Sequence, residues 1–422
     1  MEVTVRKKEG IIATFTAPPS KSYTHRALIT GALAQGPSRL SHPLISDDTL
    51  ITIRGLQALG VSIEGGEQRL IIDGTGGKLT CPAGAEINVD ESGTSMRFFI
   101  TLTLLCGTPV VMRGSSRMHQ RPIGPLVTSL RDLGGEITYL EKEGYPPLTI
   151  GGALNGGTTS IRGGESSQFL SSLLLTAPYA QRDVEIECEG SPVSRSYIDV
   201  TIDVMQSFGV GVERKGYSNY RVTAGNHYCP TEYTVEGDYS SASYFFAIPA
   251  VCRGRVSVNG LNPVSSQGDR QFLDILIAMG CGVRYTSNGV EIWRERELSG
   301  VTVDMSSSPD TVQTLCVVAA CASTPTTITG ISHLRLKESN RIEDTAAILA
   351  SLGARVTTGP DWISILPNPL HGGTINPRND HRTAMSFAIL GLRVGGITIL
   401  NAECVTKSFP TFWPVLAQSG VL

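Results

Sequence analysis

The sequence lacks the closely spaced cysteines that disulfide-rich and zinc-binding proteins use. It contains nine cysteines, an odd number, and no two of them form a Cys-x-x-Cys pair. Its seven histidines show no spacing that would place two metal ligands on one helix face. This pattern is typical of reduced thiols in a cytosolic protein. We therefore expect no zinc or other metal site and no cofactor.

Long apolar runs and an excess of one charge are also missing. No apolar run approaches the ~20 residues of a membrane-spanning helix, and residues 1–10 are charged, without the apolar segment of a secretory signal. The net charge is −3 and the isoelectric point about 6.2. These values argue against a general binder of nucleic acids or membranes. We expect a cytoplasmic protein in which any anion-binding site is local.

Glycine, by contrast, is abundant, with 46 residues, and its spacing indicates a repeat. Six helix-like stretches end at a glycine, and these glycines are 67 to 75 residues apart. They are Gly60, Gly134, Gly209, Gly280, Gly353 and Gly420. A glycine just after a helix commonly adopts the left-handed C-cap conformation, so we expect six helix ends at these positions.

Polar turns that lead into apolar helices recur with the same period. They lie near Ser20, Gly93, Ser166, Ser240, Pro309 and Asp380, and a β-branched strand follows each helix. The pattern predicts an α/β (α+β) fold of six βαβαββ repeats, three in each of two domains. Two domains also suit 422 residues, because one core rarely exceeds about 250–300 residues. A repeat that records only how the fold was assembled, without functional meaning, stays an alternative.

The predicted domains are residues 20–236 and residues 1–19 together with 237–422. The last repeat lacks its closing strands, and two short strands predicted within residues 2–17 can supply them. The chain would then cross between domains near residues 17–20 and again near 236–239. If the first helices of both domains point the same way, their starts meet at an interdomain crevice, which is a common ligand site.

Residues 18–28 contain the first of these helix starts. Two prolines and a serine precede an apolar helix whose first turns carry Lys21, Ser22 and Arg26. Helix N-termini attract anions, so one interpretation is part of a phosphate or carboxylate site. The other is a capped surface helix with solvated cations, and this stretch alone does not decide between them.

Further polar residues lie at related positions in other repeats. The cations are Arg121, Arg195, Lys337, Arg341, Arg382 and Lys407, the serines are Ser166, Ser167 and Ser194, and the carboxylates are Asp310 and Glu338. Lys337 and Arg341 lie four residues apart where we predict a helix to open, so they would share a helical face. A solvated helix face is the commoner reason for such a charge run. The recurrence of these residues is the stronger argument for a site.

Eight motifs within residues 19–410 carry a resemblance to a known family. They are Pro-Ser-Lys-Ser-x-x-x-Arg (19–26), Ser-Gly-Thr-x-x-Arg (92–97), Gln-Arg-Pro-Ile (120–123), Ser-Ser-Gln-Phe-Leu (166–170), Glu-Gly-Asp-x-Ser-Ser-Ala-Ser-Tyr (236–244), Arg-x-Lys-Glu-Ser-Asn-Arg (335–341), Asn-Asp-His-Arg-x-Ala-Met (379–385) and Lys-Ser-Phe-Pro (407–410). Together they resemble the 3-phosphoshikimate 1-carboxyvinyltransferase family. The resemblance implies the two-domain enolpyruvyl-transferase fold, with the active site in the interdomain crevice.

The resemblance also implies a reaction of the shikimate pathway. The enolpyruvyl group of phosphoenolpyruvate would move to the 5-hydroxyl of shikimate 3-phosphate with release of phosphate, in a monomer without a cofactor. The residues implied for shikimate 3-phosphate are Ser22, Arg26, Ser166, Ser167, Gln168, Ser194, Lys337 and the base Asp310. Those implied for phosphoenolpyruvate are Lys21, Gly93, Arg121, Gln168, Arg341, Arg382 and Lys407.

Three residues are implied to move protons. Asp310 would take the proton of the 5-hydroxyl, Glu338 would give a proton to the methylene carbon and later remove it, and Lys21 would protonate the departing phosphate oxygen. A tetrahedral intermediate is expected, without a covalent enzyme adduct. A carboxylate among cations is a weak base, so the strength of Asp310 must come from its positioning and from bound anions.

Some residues depart from the family pattern. His333 stands where many members have asparagine, Asp90 and Glu91 where asparagines are frequent, and Ser95 and Phe98 where alanine and proline are frequent. These departures leave the response to glyphosate open.

Two other functions remain as alternatives. The related enolpyruvyl transferase that acts on UDP-N-acetylglucosamine uses a loop cysteine, and the corresponding residues 113–124 contain none. A non-catalytic binder of phosphorylated metabolites would have little use for two carboxylates among the cations.

Overall fold

The computed structural model of the protein describes residues 1–82 and 84–422, in which there are 23 strands and 12 α-helices. The strands are β1 (Val3–Val5), β2 (Ile11–Thr16), β3 (Pro37–Ser41), β4 (Ser62–Gly66), β5 (Arg69–Asp73), β6 (Glu86–Asn88), β7 (Val110–Arg113), β8 (Gly135–Tyr139), β9 (Leu148–Gly152), β10 (Gly157–Arg162), β11 (Val184–Glu189), β12 (Glu213–Lys215), β13 (Asn219–Val222), β14 (Glu232–Thr234), β15 (Gly254–Asn259), β16 (Cys281–Thr286), β17 (Gly289–Arg294), β18 (Thr302–Asp304), β19 (Thr326–Thr329), β20 (Arg355–Thr358), β21 (Trp362–Leu366), β22 (Gly373–Ile375) and β23 (Ile397–Ile399).

The helices follow the predicted period. They are α1 (Lys21–Leu33), α2 (Asp47–Ala58), α3 (Gly93–Leu102), α4 (Gly124–Asp132), α5 (Ser167–Thr176), α6 (Arg195–Ser207), α7 (Tyr239–Cys252), α8 (Gln271–Met279), α9 (Val312–Ala320), α10 (Arg341–Ser351), α11 (His381–Val394) and α12 (Phe412–Gln418). All six glycines of the repeat follow an even-numbered helix and have positive φ, between 69° and 118°. The predicted C-caps are therefore confirmed. Within the described residues, no helix combines the length and the apolar character needed to cross a membrane.

Six small sheets confirm the repeat. Five have four strands and one has three, in the orders β14-β3-β5-β4, β6-β7-β9-β8, β10-β11-β13-β12, β16-β17-β15-β2, β18-β19-β21-β20 and β1-β23-β22. Each is mixed: in the second, for example, β6 runs parallel to β7, and β9 is antiparallel to both β7 and β8. In that repeat, the first strand thus pairs with the strand that follows the first helix of the repeat.

Contacts within the chain group it into two compact units, each with its own hydrophobic core. One is residues 19–235. The other, called here the split unit, joins residues 1–18 to residues 236–422. These bounds differ by one residue at each crossing from the predicted domain bounds.

The odd-numbered helices form the centre of each unit. All 14 residues of α7 are buried, as are 11 of the 13 residues of α1. A helix that is buried on all sides contacts protein along its whole length. Only its ends are accessible to a substrate, which is why the starts of these helices position the candidate site.

The two N-terminal strands join different sheets of the split unit. β1 pairs with β23 and completes the last sheet, as predicted, whereas β2 pairs with β15 of the fourth sheet. The difference follows from the side chains of β2, because Ile11 and Phe15 point into the core and Phe15 stacks on Phe245, with ring centroids 4.1 Å apart.

The Phe15 stack allows the membership of β2 in the split unit to be tested. All three tryptophans, Trp293, Trp362 and Trp413, lie in that unit, so their emission reports its unfolding in urea. Phe15→Ala is expected to lower the free energy of unfolding by about 3–5 kcal/mol, because it leaves a cavity in the core. The control is Ile12→Ala on the same strand, where the side chain is 84% exposed. An unchanged tryptophan transition in Phe15→Ala would contradict this assignment.

Candidate active site

Lys21 begins α1 and is held by an ion pair. Its Nζ lies 2.9 Å from Oδ2 of Asp48, whose side chain is buried in the first turn of α2. The positive end of the helix dipole favours a carboxylate at that position. The sequence analysis missed Asp48, although acidic residues in the first turn of a predicted helix are a known signal. The Lys21 ammonium is thus fixed in place, which argues against the surface-helix interpretation.

Arg26 is enclosed by protein groups. It is 2% exposed, and its guanidinium donates hydrogen bonds to Thr201 Oγ1, Ser171 Oγ and the carbonyl oxygens of Ser22 and Tyr197 at 2.7 to 3.3 Å. Burial lowers its pKa to about 10. Here Arg26 connects α1 to α5 and α6, and its contact with shikimate 3-phosphate stays a prediction.

Phe98 and Ser95, two of the departures from the family pattern, have structural partners. The Phe98 ring lies under the Arg26 guanidinium, with 5.5 Å between Cζ and the ring centroid. Ser95 Oγ lies 2.8 Å from Thr52 Oγ1 and 2.7 Å from Ser92 Oγ. Both residues therefore stabilise the helix starts from inside the unit.

Gly93 and Arg121, both predicted to bind phosphoenolpyruvate, are in contact. A Cβ atom on Gly93 would lie 2.6 Å from both terminal nitrogens of the Arg121 guanidinium. Arg97 fixes the segment on the other side, because its Nη2 donates to the carbonyl of Pro122 at 3.2 Å. The guanidinium of Arg121 can therefore lie flat against the helix start only because residue 93 has no side chain.

The remaining predicted residues of the 19–235 unit lie at the starts of α5 and α6. Gln168 Nε2 donates to Thr94 Oγ1 at 3.0 Å, which joins the start of α5 to that of α3. Ser166 caps α5 by accepting the Gln168 N–H. Ser194 precedes α6 in the left-handed conformation, with φ of 55°. Thr94 was not predicted, because nothing in its local sequence indicates a partner 74 residues away.

Arg341 is the centre of the candidate residues in the split unit. Its guanidinium is 2% exposed and contacts three carboxylates: Asp380 at 2.8 Å, Glu338 at 2.9 Å and Asp310 at 3.1 Å. Burial disfavours its charge, but these carboxylates outweigh burial and raise the pKa of Arg341 above its ordinary value. The predicted acid–base residues Asp310 and Glu338 thus share one cation.

Arg382 makes the second ion pair of Asp310. Its Nη2 lies 2.6 Å from Asp310 Oδ2, and its Nη1 donates to the Asp310 carbonyl at 3.0 Å. Each carboxylate oxygen of Asp310 therefore accepts from a different arginine. A bound anion could compete for these guanidinium groups, and the carboxylates that they release could then take part in proton transfer.

The prediction that Lys337 and Arg341 share a helical face was wrong. Lys337 has extended backbone, with φ of −88° and ψ of −160°, and lies outside α10. The helix begins only at Arg341 because Asn340 caps it and accepts the N–H of Glu343. Lys407, the last predicted cation, is buried at the end of a 3₁₀ segment.

His333 lies near Lys337 and has a neutral ring. Burial, with the positive charge of Lys337, lowers its pKa to about 3. Neither ring nitrogen has a hydrogen-bond partner among the described residues. A neutral imidazole offers one donor and one acceptor, so this position can bind a polar ligand.

Comparison with known proteins fits this geometry. The family model described as EPSP synthase (3-phosphoshikimate 1-carboxyvinyltransferase) matches residues 5–416. The chain is 53% identical over 418 residues to the 3-phosphoshikimate 1-carboxyvinyltransferase of Methanoregula boonei, with 99% of both chains covered, and 53% identical over 424 residues to that of Methanoculleus marisnigri, with full coverage. This chain belongs to the EPSP synthase family. Its activity is that of a transferase of the shikimate pathway, 3-phosphoshikimate 1-carboxyvinyltransferase.

A solved structure agrees with the EPSP synthase fold. The EPSP synthase from Acinetobacter baumannii superposes with a TM-score of 0.82 at 29% identity, over 100% of this chain and 98% of that one. The predicted fold and family are confirmed. The roles of the individual site residues remain predictions.

Asp380, which the sequence analysis named only as a polar turn before a helix, is a buried charge in this EPSP synthase family member. It is 0% exposed, its Oδ1 caps α11 and its Oδ2 accepts from Ser339 and Arg341. Burial disfavours its charged form, but Arg341 outweighs burial and keeps the pKa of Asp380 below its ordinary value.

We expect Asp380→Asn to lower the free energy of unfolding at pH 7 by about 3–5 kcal/mol, because Arg341 loses a buried partner while asparagine keeps the cap. A lowered native pKa stabilises the fold above the unfolded pKa, and this stabilisation is lost as pH falls through the native value. The difference from wild type should therefore shrink below about pH 4. The control is Asp361→Asn, an exposed aspartate of the same unit. A difference that stays constant with pH would contradict the assignment.

Proposed function

We propose that residues at the polar helix starts transfer the enolpyruvyl group of phosphoenolpyruvate to the 5-hydroxyl of shikimate 3-phosphate. The observation that supports this most directly is the shared cation of the split unit, where Arg341 contacts both Asp310 and Glu338. A reaction between two anions that also moves protons needs cations and carboxylates side by side. A binder of anions would gain nothing from these carboxylates.

The cations are proposed to bind phosphoenolpyruvate. The residues proposed to bind its phosphate and carboxylate groups are Lys21, Arg121, Arg341, Arg382 and Lys407. Arginine suits this task because its planar fork of N–H donors matches both groups. The buried positions of Arg341 and Arg382 support the proposal, since electrostatic interactions are stronger away from water.

The acceptor substrate is assigned to hydroxyl, amide and basic groups. Ser22, Ser166, Ser167, Gln168, Ser194 and Lys337, with Arg26 behind them, are the proposed contacts for shikimate 3-phosphate. Helix starts with serine side chains and unpaired N–H groups suit a phosphate ester. The hydrogen bond between Gln168 and Thr94 supports the position of the amide.

The proposed steps balance as an addition followed by an elimination. In the addition, the 5-oxygen bonds to C2 of phosphoenolpyruvate while Asp310 takes the hydroxyl proton. Glu338, protonated from solvent once its ion pair with Arg341 is released, gives that proton to C3. In the elimination, Glu338 removes a proton from the new methyl group and the bond between C2 and the phosphate oxygen breaks. Lys21, which its ion pair with Asp48 keeps in position, protonates the departing phosphate.

Phosphate release with phosphoenolpyruvate and shikimate 3-phosphate tests these roles. We expect Asp310→Asn and Glu338→Gln each to lower kcat by about 10²–10⁴-fold, the usual contribution of general acid–base catalysis. Glu343→Gln is the matched control, because Glu343 pairs with Arg335 at the surface. Normal turnover in either site variant would refute its role. Phosphate release with UDP-N-acetylglucosamine as acceptor would favour the related transferase.

Gly93→Ala tests the contact between Gly93 and Arg121. The added Cβ must displace the Arg121 guanidinium, so we expect KM for phosphoenolpyruvate to rise about tenfold, the effect of losing roughly 1.4 kcal/mol of binding. Gly124→Ala is the control: it also lies at the first position of a helix, and its Cβ would meet only Gly144 Cα at 3.6 Å. An unchanged KM in Gly93→Ala would contradict the proposed contact.

The proposal includes a monomeric state and a cytoplasmic location. The reduced-thiol pattern supports the location, and the self-contained hydrophobic cores of the two units support the monomer. A mass from light scattering of twice the 45.0 kDa of the chain would contradict the monomer.

A further inference from the structure

Two buried side chains, Gln313 and Thr383, join two helix starts of the split unit and have no role in the proposed reaction. Gln313 is the second residue of α9, and Thr383 is the third residue of α11. Gln313 Nε2 donates to Thr383 Oγ1 at 2.7 Å, although the two residues are 70 positions apart in the sequence. Gln313 is 1% exposed and Thr383 0%. Neither side chain is accessible to a substrate, so any part that they play in the reaction must act through other residues.

The amide group of Gln313 is costly for the fold. Its Oε1 is buried and accepts no hydrogen bond from the described residues. A buried polar atom without a partner is destabilising, and an apolar side chain of similar shape would avoid this cost. Stability alone therefore does not account for a glutamine at this position, and the hydrogen bond from its Nε2 requires another explanation.

This hydrogen bond lies next to the proposed base and to a proposed ligand of phosphoenolpyruvate. Asp310 is in the 3₁₀ turn, Pro309–Thr311, that leads directly into α9, three residues before Gln313. Arg382 precedes Thr383 on α11, and its guanidinium donates to the Asp310 carbonyl at 3.0 Å and to Asp310 Oδ2 at 2.6 Å. The starts of α9 and α11 are thus joined both by these charged groups and by the hydrogen bond of Gln313.

The two connections differ in their response to a bound anion. Phosphoenolpyruvate at Arg382 would compete with Asp310 for the guanidinium, so the charged connection weakens when the substrate binds. The amide and the hydroxyl group are neutral and buried, so the anion does not compete for them. A hydrogen bond is also stronger in the interior, where the local dielectric constant is low. The hydrogen bond of Gln313 therefore persists while the ion pair exchanges partners.

A related contact in the 19–235 unit has the same chemistry and a different exposure. Gln168 is the second residue of α5, and its Nε2 donates to Thr94 Oγ1 on α3 at 3.0 Å. Gln168 is partly exposed, as its proposed contact with shikimate 3-phosphate requires. Gln313 makes the same kind of hydrogen bond but is enclosed. It therefore joins two helix starts without being able to contact a ligand.

We infer that Gln313 and Thr383 are positioning residues for phosphoenolpyruvate, whose hydrogen bond keeps Arg382 in place beside Asp310 when the substrate separates their charges. The inference rests on the proposed role of Arg382 in binding phosphoenolpyruvate. A hydrogen bond holds its heavy atoms about 2.7–3.2 Å apart, whereas apolar groups approach only to about 3.5–4.0 Å. An apolar contact in its place would move the helix starts apart by about 1 Å, a displacement that is large enough to weaken the grip on a substrate.

Thr383→Val and Gln313→Met test the inference through a split between the two Michaelis constants. Each removes one partner, so we expect KM for phosphoenolpyruvate to rise about tenfold while KM for shikimate 3-phosphate stays within about twofold. Thr383→Ser keeps the hydroxyl group and should retain the wild-type KM. The control is Thr326→Val at the start of β19, where a buried hydroxyl group accepts the Val301 N–H at 3.3 Å. It should lower the midpoint of unfolding in urea and leave both Michaelis constants unchanged.

The double variant Gln313→Met/Thr383→Val separates positioning from stability. With both partners replaced, no buried group lacks its hydrogen bond, so the midpoint of unfolding should return towards that of the wild type. The helix starts stay apart, so KM for phosphoenolpyruvate should remain raised. Recovery of both the midpoint and KM would overturn the inference, because the contact would then act only through folding. Tryptophan emission of the split unit reports folding, and the double variant remains decisive if a single variant does not fold.

Arg382→Met separates the inference from the proposed function. If Arg382→Met leaves KM for phosphoenolpyruvate unchanged, the assignment of Arg382 fails and the inference fails with it. If Arg382→Met raises this KM and neither Thr383→Val nor Gln313→Met does, the proposed function stands and the inference about Gln313 and Thr383 is overturned.

Discussion

The guanidinium of Arg341 is the interaction on which the arrangement of the catalytic candidates depends. It joins Asp310, Glu338 and Asp380, which come from three segments of the chain. Burying an ion costs several kcal/mol unless partners compensate it. The three carboxylates and the arginine therefore require one another, and this requirement holds Asp310 and Glu338 close together. The positions of the proposed acid–base groups are a consequence of charge neutralisation in a buried place.

Hydrogen bonds between neutral polar side chains hold the central helices in position. Hydroxyl groups of α7, α9 and α11 approach one another in the core, with Ser243 3.2 Å from Thr314 and Thr314 3.2 Å from Ser386. In the 19–235 unit, His25 Nδ1 lies 2.8 Å from Thr52, which in turn contacts Ser95. Buried hydroxyl groups must be hydrogen-bonded, so these contacts favour one alignment of the helices in each unit and fix the ends that carry the site.

Much of the fold could be predicted because its signals are local. A glycine such as Gly60 marks a helix end through its own backbone, and the recurrence of such glycines gives the six repeats. The site was harder to predict, because its partners are distant in sequence: Arg341 and Asp380 are 39 residues apart, Arg26 and Thr201 are 175 apart. The prediction that Lys337 shares a helical face with Arg341 failed for a local reason. Asn340 caps α10, so the helix begins only at Arg341, and hydrophobic periodicity does not show where such a cap lies. The resemblance to a family supplied the residues, and the structure supplies their partners.

The membership of β1 and β2 in the split unit has a consequence for synthesis on the ribosome. These strands leave the ribosome before their partners β15 and β23, which begin only at residues 254 and 397. Residues 19–235 can therefore complete their own sheets while β1 and β2 are still unpaired. An unpaired strand is a template for aggregation, and charged residues reduce that hazard. The run from Arg6 to Glu9, which lies between the two strands, contains four charges in four residues and is suited to protect the nascent chain during this interval.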